Sequence, residues 1–430
     1  MTTATPPRWV RRTLKEEAQV AAHLSNLVQK LHQSPLCTFS SNIDGVPILY
    51  RAVTPPASTS NNDATATTLL ILTGYNETID KYCEFIDEMS SRINSLHVFI
   101  MDHRGQGISG RESTVEATPL LAHATDWRHW VRDVEQFVSQ VIQPTGKNKL
   151  HIFAHSMGGM IATHVAAANP SMFATVSLNC PLYKITMGNP MLEKINFLSP
   201  FARLMVFLGY DKTNSRGDLH IKPNLKKWGY MEMSADYERT KFWHQLRVKS
   251  VTTDNGRPGV VMSPSFGWFN QVTNCCNELD KVVSQIISPV IIIQAEKDVL
   301  VSNLQHHKLA AKMQNALVLQ TGHNSFHEQH YAGRDVVRKM ILDVVTKNIT
   351  FLKIELFPSH YMVNPSLRSL SSYPNSISKE LQQQQQEQQQ QQYSQDGPEQ
   401  EQQEQYFITW GVAAIKRLCC CQRKIKQKPQ

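Results

Sequence analysis

Ser156 lies between a strand-like run and a helix-like run, in Lys149-Leu-His-Ile-Phe-Ala-His-Ser-Met-Gly-Gly159. A serine hydroxyl at such a junction can serve as a nucleophile if the chain turns sharply there, which needs small residues two places to either side. Ala154 and Gly158 supply them. The following helix would begin at Met157, placing that N–H and the positive end of the helix dipole where an oxyanion would form. Ala-x-Ser-x-Gly also arises by chance, so the strand-to-helix setting is what gives this instance meaning.

A hydroxyl needs a base, and the base needs a carboxylate to orient it. On this template the chain order is serine, acid, histidine, each just beyond a strand. Asp298 follows the apolar run Val290 to Ala295 and is the expected acid. Glu296 is the competing carboxylate, read as a solvated turn residue. His323 follows a glycine after the run Ala316 to Leu319 and is the expected base, whereas His327 and His330 read as surface or packing residues. A second oxyanion donor is expected in Leu72-Thr-Gly-Tyr-Asn-Glu77, where Gly74 permits close backbone approach and the Tyr75 N–H joins that of Met157. An ordinary strand-to-helix turn would suit Gly74 and Asn76 equally well.

These residues can meet only if strands and helices alternate around a parallel sheet. Apolar runs at Leu69 to Leu72, His97 to Met101, Leu150 to Ala154 and Phe173 to Leu178 are separated by helical stretches at Thr78 to Ile93, Trp127 to Ile142 and Met157 to Ala168. The alternation resumes at Val290 with helices near Leu304 to Met313 and Arg334 to Phe351. Short buried strands alternating with helices predict βαβ units. Ahead of them, Thr13 to Leu31 has the period of an amphipathic helix, and Asp44-Gly45 joins two short strands as a hairpin.

Between Tyr183 and Ser288 the alternation is lost in a segment rich in Met, Phe, Leu and Trp, expected to form a cap. Its run of Met187, Met191, Leu192, Ile195, Phe197 and Leu198 through Leu208 suits an acyl chain, and equally suits a buried helix pair. Lys194 and Arg203 interrupt that run and could meet a phosphate, although charges at helix edges are usually just solvated. The expected organisation is a helical segment over 1–36, core halves over 37–182 and 289–355, a cap over 183–288, a disordered glutamine-rich linker over 356–405, and an amphipathic, cysteine-rich basic tail over 406–430.

The formal net charge is +8 over 430 residues. From Lys379 onward seven basic residues stand against six acidic ones, so about +7 lies ahead of the tail. That surplus forms no dense basic run with aromatics, which argues against nucleic acid as a partner and suits an anionic surface better. Eight cysteines form neither a regular framework nor a zinc-type spacing, and no dinucleotide fingerprint occurs, so neither cofactor nor metal is expected. The first 15 residues lack a signal-peptide core. Phe407 to Ile415 is too short to span a bilayer. Cys419, Cys420 and Cys421, flanked by Lys416, Arg417, Arg423, Lys424, Lys426 and Lys428, have the look of an S-acylation site beside a polybasic patch.

The sequence resembles the lysophospholipase and monoacylglycerol lipase branch of the α/β hydrolases, also labelled serine aminopeptidase-like, and bacterial lysophospholipases most of all. The resemblance rests on Thr73-Gly-Tyr-Asn-Glu-Thr-Ile-Asp-Lys-Tyr82, Asp102-His-Arg-Gly-Gln-Gly-Ile-Ser-Gly-Arg111 and Ala154-His-Ser-Met-Gly-Gly159, within a pattern covering roughly Thr38 to Leu352. It implies an α/β-hydrolase fold with a mostly parallel central sheet, Ser156 as nucleophile, Asp298 as acid and His323 as base. It also implies structural roles for Asp102 and Arg104. Asn324 stands where relatives usually carry Glu, and Thr73-Gly74 replaces the His-Gly start of monoacylglycerol lipases.

The expected activity is hydrolysis of a lipid carboxylic ester, a lysophospholipid first, through an acyl-enzyme on Ser156. The alternatives are a monoacylglycerol lipase or carboxylesterase with the same triad, and a catalytically silent, membrane-tethered binding protein. The expected location is cytoplasmic, peripheral on a cytosolic membrane face through the tail.

Overall fold

The computed structural model describes residues 14–55, 67–93, 95–112, 121–145, 149–186, 198–215, 236–252, 263–296, 298, 300–321, 341 and 344–345. Helix α1 (Leu14–His32) is followed by β1 (Leu36–Ser40), β2 (Pro47–Val53), β3 (Thr67–Leu72), a 3₁₀ turn (Ile79–Tyr82), α2 (Cys83–Arg92) and β4 (Leu96–Met101). Then come the short β5 (Leu121–Ala122), α3 (Arg128–Phe137), β6 (Lys149–His155), α4 (Met157–Ala168) and β7 (Thr175–Asn179). Helices α5 (Leu198–Phe207) and α6 (Tyr237–Thr252), strand β8 (Ser263–Pro264) and helix α7 (Phe266–Val282) precede β9 (Val290–Gln294), α8 (Asn303–Ala310) and β10 (Ala316–Gln320).

Eight strands form one sheet in the order β1-β2-β4-β3-β6-β7-β9-β10. The β1–β2 and β2–β4 pairs are antiparallel, and every later pair is parallel. The sheet is apolar on both faces because helices cover both. Alternate residues of a strand point to opposite faces. Leu70 and Leu72 accordingly pack with Phe99, Met101, Ile152 and Ala154 under α3 and α4, whereas Leu69 and Ile71 pack with Val98, Ile100 and Phe153 under α1 and α2. In α1, Leu24, Leu27 and Leu31 recur at helical spacing and form its buried stripe.

Two helices of the segment expected to form a cap pack on the core. Helix α7 buries Trp268, Val272, Cys275 and Leu279 in the same cluster as α4, and His164 Nε2 bonds the Cys275 carbonyl at 3.0 Å. Ser265 caps α7, its hydroxyl accepting the Trp268 N–H at 3.0 Å. Trp243 of α6 enters the cluster on the other face, where Arg239 forms a bidentate pair with Glu84 of α2 at 2.8 and 2.7 Å. A short parallel pairing of β5 with β8 ties the return of this segment to the core. Residues 356–405 and 406–430, expected as linker and tail, lie outside the described residues.

Candidate active site

Strand β6 ends at His155 and α4 begins at Met157, so Ser156 makes the turn between them. Its backbone takes φ 50° and ψ −115°, a conformation that costs an L-residue about 1–3 kcal/mol and persists only where neighbours enforce it. The Ser156 N–H donates to the Asn179 carbonyl at 3.0 Å, and the Ser156 carbonyl accepts from Leu182 at 2.8 Å and Met160 at 3.2 Å. The expected small residues have visible reasons. Ala154 is wholly buried, and a methyl group at Gly158 would lie 2.5 Å from the Leu72 carbonyl oxygen and 2.6 Å from that of Thr73.

Among the described residues three non-glycines have positive φ: Asn76, Ser156 and Cys180. They follow β3, β6 and β7, so the unusual backbone gathers at the C-terminal edge of the parallel strands, where open α/β sheets hold their ligands.

Both expected oxyanion donors lie at this edge. Met157 is the first residue of α4, and its N–H therefore has no intrahelical acceptor. The amides beside Tyr75 are engaged: Gly74 N–H donates to Glu77 Oε2 at 2.6 Å, and Asn76 N–H to Gln106 Oε1 at 2.5 Å. The Tyr75 ring leans on Trp268 of α7, with centroids 4.4 Å apart.

The loop after β4 holds this turn from below. Asp102 Oδ1 accepts the Ile79 N–H at 2.9 Å and Oδ2 the Ile108 N–H at 3.0 Å. Burial pushes the Asp102 carboxyl up to about 7 despite those two amide bonds. The neighbouring His103 Nε2 lies 3.2 Å from the Thr73 carbonyl oxygen, and burial pulls its imidazole down to about 4. Gly107, at φ +51°, has no room for a methyl group beside the Asp102 carboxylate. Arg104 is buried against Asp133 at 2.6 and 2.9 Å and Asp44 at 2.8 Å. Asp102 and Arg104 thus have the structural roles that the family pattern implied.

Asp298 follows β9, and its Oδ1 accepts the Leu300 and Val301 amides at 2.9 and 3.0 Å. That loop is pinned to the chain beyond β7: Thr186 N–H bonds the Leu300 carbonyl at 2.9 Å, and Ser302 N–H that of Lys184 at 3.0 Å. Glu296 occupies the preceding turn, half-buried. His323 lies outside the described residues, as do His327 and His330. Strand β10 ends at Gln320, three residues ahead of His323, beside β9. Since β6, β7 and β9 are successive neighbours, the strands of Ser156 and Asp298 stand about 10 Å apart.

Helix α5 divides the apolar run of the expected cap. Ala202 and Met205 are buried, while Leu204, Phe207 and Leu208 face outward, Phe207 with 85% of its surface exposed. Arg203 lies on a polar groove with Arg128 and touches Asn274 of α7 at 3.5 Å. Met187, Met191, Leu192, Lys194, Ile195 and Phe197 lie outside the described residues, as do Cys419, Cys420 and Cys421. Among the described residues no group of three or more His, Cys, Asp or Glu could hold a metal ion, and no helix is long and apolar enough to cross a membrane.

Sequence reasoning did not single out Glu77, Gln106 or His155. Gln106 and His155 find their partners, the Asn76 N–H and the Asn179 carbonyl, far along the chain, and the local partners of Glu77 meet it only once the turn has formed.

The family described as serine aminopeptidase, S33, matches residues 63–331. The probable lysophospholipase L2 of Haemophilus influenzae is 26% identical over 322 residues, covering 74% of this chain and 94% of the relative. The monoglyceride lipase of Mus musculus is 32% identical over 144 residues, 33% of this chain and 43% of the relative. A solved structure of a soluble variant of the Saccharomyces cerevisiae monoglyceride lipase, in complex with a substrate analog, superposes with a TM-score of 0.53 at 17% identity, covering 74% of this chain and 96% of that one. The fold is the α/β-hydrolase fold.

Proposed function

Because the chain belongs to the serine aminopeptidase, S33, family of α/β hydrolases, we propose that it hydrolyses the carboxylic ester of a lipid through an acyl-enzyme on Ser156. The observation that carries the reading is the strained backbone of Ser156 at the exit of β6, directly ahead of α4. Ser156 Oγ attacks the ester carbonyl carbon while His323 takes the hydroxyl proton, and Asp298 orients the imidazole. The Tyr75 and Met157 N–H groups stabilise the tetrahedral oxyanion. Collapse breaks the ester C–O bond, and the proton on His323 passes to the departing alcohol. Water, deprotonated by the same histidine, then releases the fatty acid and restores Ser156.

A lysophospholipid is the favoured substrate. The lysophospholipase relative is matched over 94% of its length, and the monoglyceride lipase of Mus musculus over 43%. A monoacylglycerol is the second reading, favoured by that lipase's higher identity and by the superposed yeast enzyme. In either reading the 183–288 segment acts as the cap over the acyl chain, and the 406–430 tail attaches the enzyme to a cytosolic membrane face through Cys419, Cys420 and Cys421.

Fatty-acid release from lysophosphatidylcholine and from monoacylglycerol, measured side by side with Ser156→Ala as control, tests the proposal. Release that vanishes in the variant supports the hydrolase, and the faster lipid names the substrate class. No release from either lipid, or release that survives the substitution, overturns it and favours a catalytically silent binding protein or another acyl substrate.

A further inference from the structure

Glu77 is a buried carboxylate five residues beyond the strand that leads to the proposed oxyanion turn, and its two oxygens serve different partners. Oε2 accepts the Gly74 N–H at 2.6 Å and the Tyr82 hydroxyl at 2.6 Å. Oε1 lies 2.7 Å from the Lys81 ammonium and 3.8 Å from His155 Nε2. Lys81 and His155 are themselves buried, and His155 Nδ1 lies 3.0 Å from the Asn179 carbonyl that also receives the Ser156 N–H. A methyl group at Gly74 would lie 2.8 Å from Glu77 Oε2 and 2.8 Å from His155 Cδ2. One carboxylate thus grips the residue before Tyr75 and abuts the residue before Ser156.

We propose that Glu77 is a positioning residue that sets the distance and angle between the Tyr75 N–H and the Ser156 hydroxyl; this rests on the hydrolase reading above. A bond from an amide to an ionised acceptor is roughly twice as strong as a neutral one, and here it fixes the peptide immediately ahead of the Tyr75 donor. Lys81, one helical turn on, and Tyr82 hold the carboxylate from the 3₁₀ turn. The turn is therefore clamped before any substrate arrives, the condition under which an oxyanion donor is effective.

The test uses the full chain with Glu77→Ala and Glu77→Gln, p-nitrophenyl butyrate as ester, a trifluoromethyl ketone as tetrahedral mimic, and deuterium uptake over residues 73–78. Glu77→Ala is expected to lower kcat about 100-fold and leave KM within about threefold. It should weaken the ketone by a factor similar to the loss in kcat and speed exchange at Gly74 and Tyr75. Glu77→Gln keeps a neutral acceptor and should shift the same quantities in the same direction by about 10-fold. A merely structural carboxylate would leave the ketone affinity and the split between kcat and KM unmoved in folded protein. Wild-type exchange and ketone affinity in Glu77→Gln overturn the proposal, even if Glu77→Ala does not fold. If wild-type protein turns over no ester, the hydrolase reading falls, while exchange over 73–78 still decides whether Glu77 holds the turn.

Discussion

The second residue after Ser156, Gly158, is pressed so closely on the end of β3 that a side chain there would meet the Leu72 carbonyl oxygen at 2.5 Å. The obstacle is backbone, which cannot rotate aside. Gly158→Ala must therefore push α4 away from the turn that carries Tyr75. We expect a loss of about 1–3 kcal/mol in stability from overpacking. Because a displacement of about 1 Å can cost about 100-fold in rate, kcat should fall far more than the melting temperature suggests. Urea unfolding and steady-state kinetics on the same preparation check this; an active, wild-type-like Gly158→Ala would refute the contact's importance.

Asp298 and Glu296 can be separated by their amides. Asp298→Asn keeps the side chain's shape but presents the wrong partner to an imidazole, and is expected to lower kcat by about 10⁴-fold. Glu296→Gln, at a residue with no role in the proposed mechanism, should stay within about threefold of wild type. Ester turnover by the two purified variants decides. The reverse pattern would move the acid to Glu296.

Asp102 and His103 are neighbours whose burial acts on stability with opposite signs. His103 titrates near 4 when folded against 6.5 unfolded, so the unfolded chain alone takes up a proton as pH falls from about 6.5 to about 4, and stability is lost in that window. Asp102 titrates near 7 when folded against 3.8 unfolded, so the folded chain holds the extra proton and stability is lost as pH rises from about 4 to about 7. The two largely offset. His103→Gln removes the first, so stability at pH 7 minus that at pH 4.5 should fall by about 2–3 kcal/mol relative to wild type. Urea unfolding at both pH values measures it, and an unchanged difference would show that His103 titrates normally.

The C-terminal cysteines give a prediction independent of the catalytic core. Stable attachment needs two membrane signals, such as acyl chains beside a basic patch. Replacing Cys419, Cys420 and Cys421 together with serine should abolish hydroxylamine-sensitive acyl labelling and shift the protein from the membrane to the soluble fraction. Labelling that survives the triple change would sink the anchor.

The elements that carry the candidate site could be read along the chain because they have strong periodicity. Val290 to Gln294 is apolar throughout, so the strand ahead of Asp298 could be located, and the turn at Ser156 announces itself by the small residues around it. Helices α6 and α7 were harder. Tyr237 to Thr252 has no clear apolar stripe, and its place on the core depends on Trp243 and on the pairing of Arg239 with Glu84, a residue 155 positions away. The grip of Glu77 on Gly74 was equally hidden, since glutamate three residues after glycine has no meaning until the turn is formed.

Asn179 and Val290 belong to hydrogen-bonded neighbours, β7 and β9, although the whole of α5, α6 and α7 intervenes between them in the chain. The cost of closing such an excursion grows only slowly with its length. Part of the excursion can therefore be lengthened, shortened or exchanged while the strands on either side keep their register. The portion between Ile185 and Asn214, bridged at its two ends to Val301 and Ser265, holds the outward-facing Leu204, Phe207 and Leu208 and is the natural cassette. A graft from another member of the family at those two seams would change what covers the C-terminal edge of the sheet without rebuilding the strands beneath it.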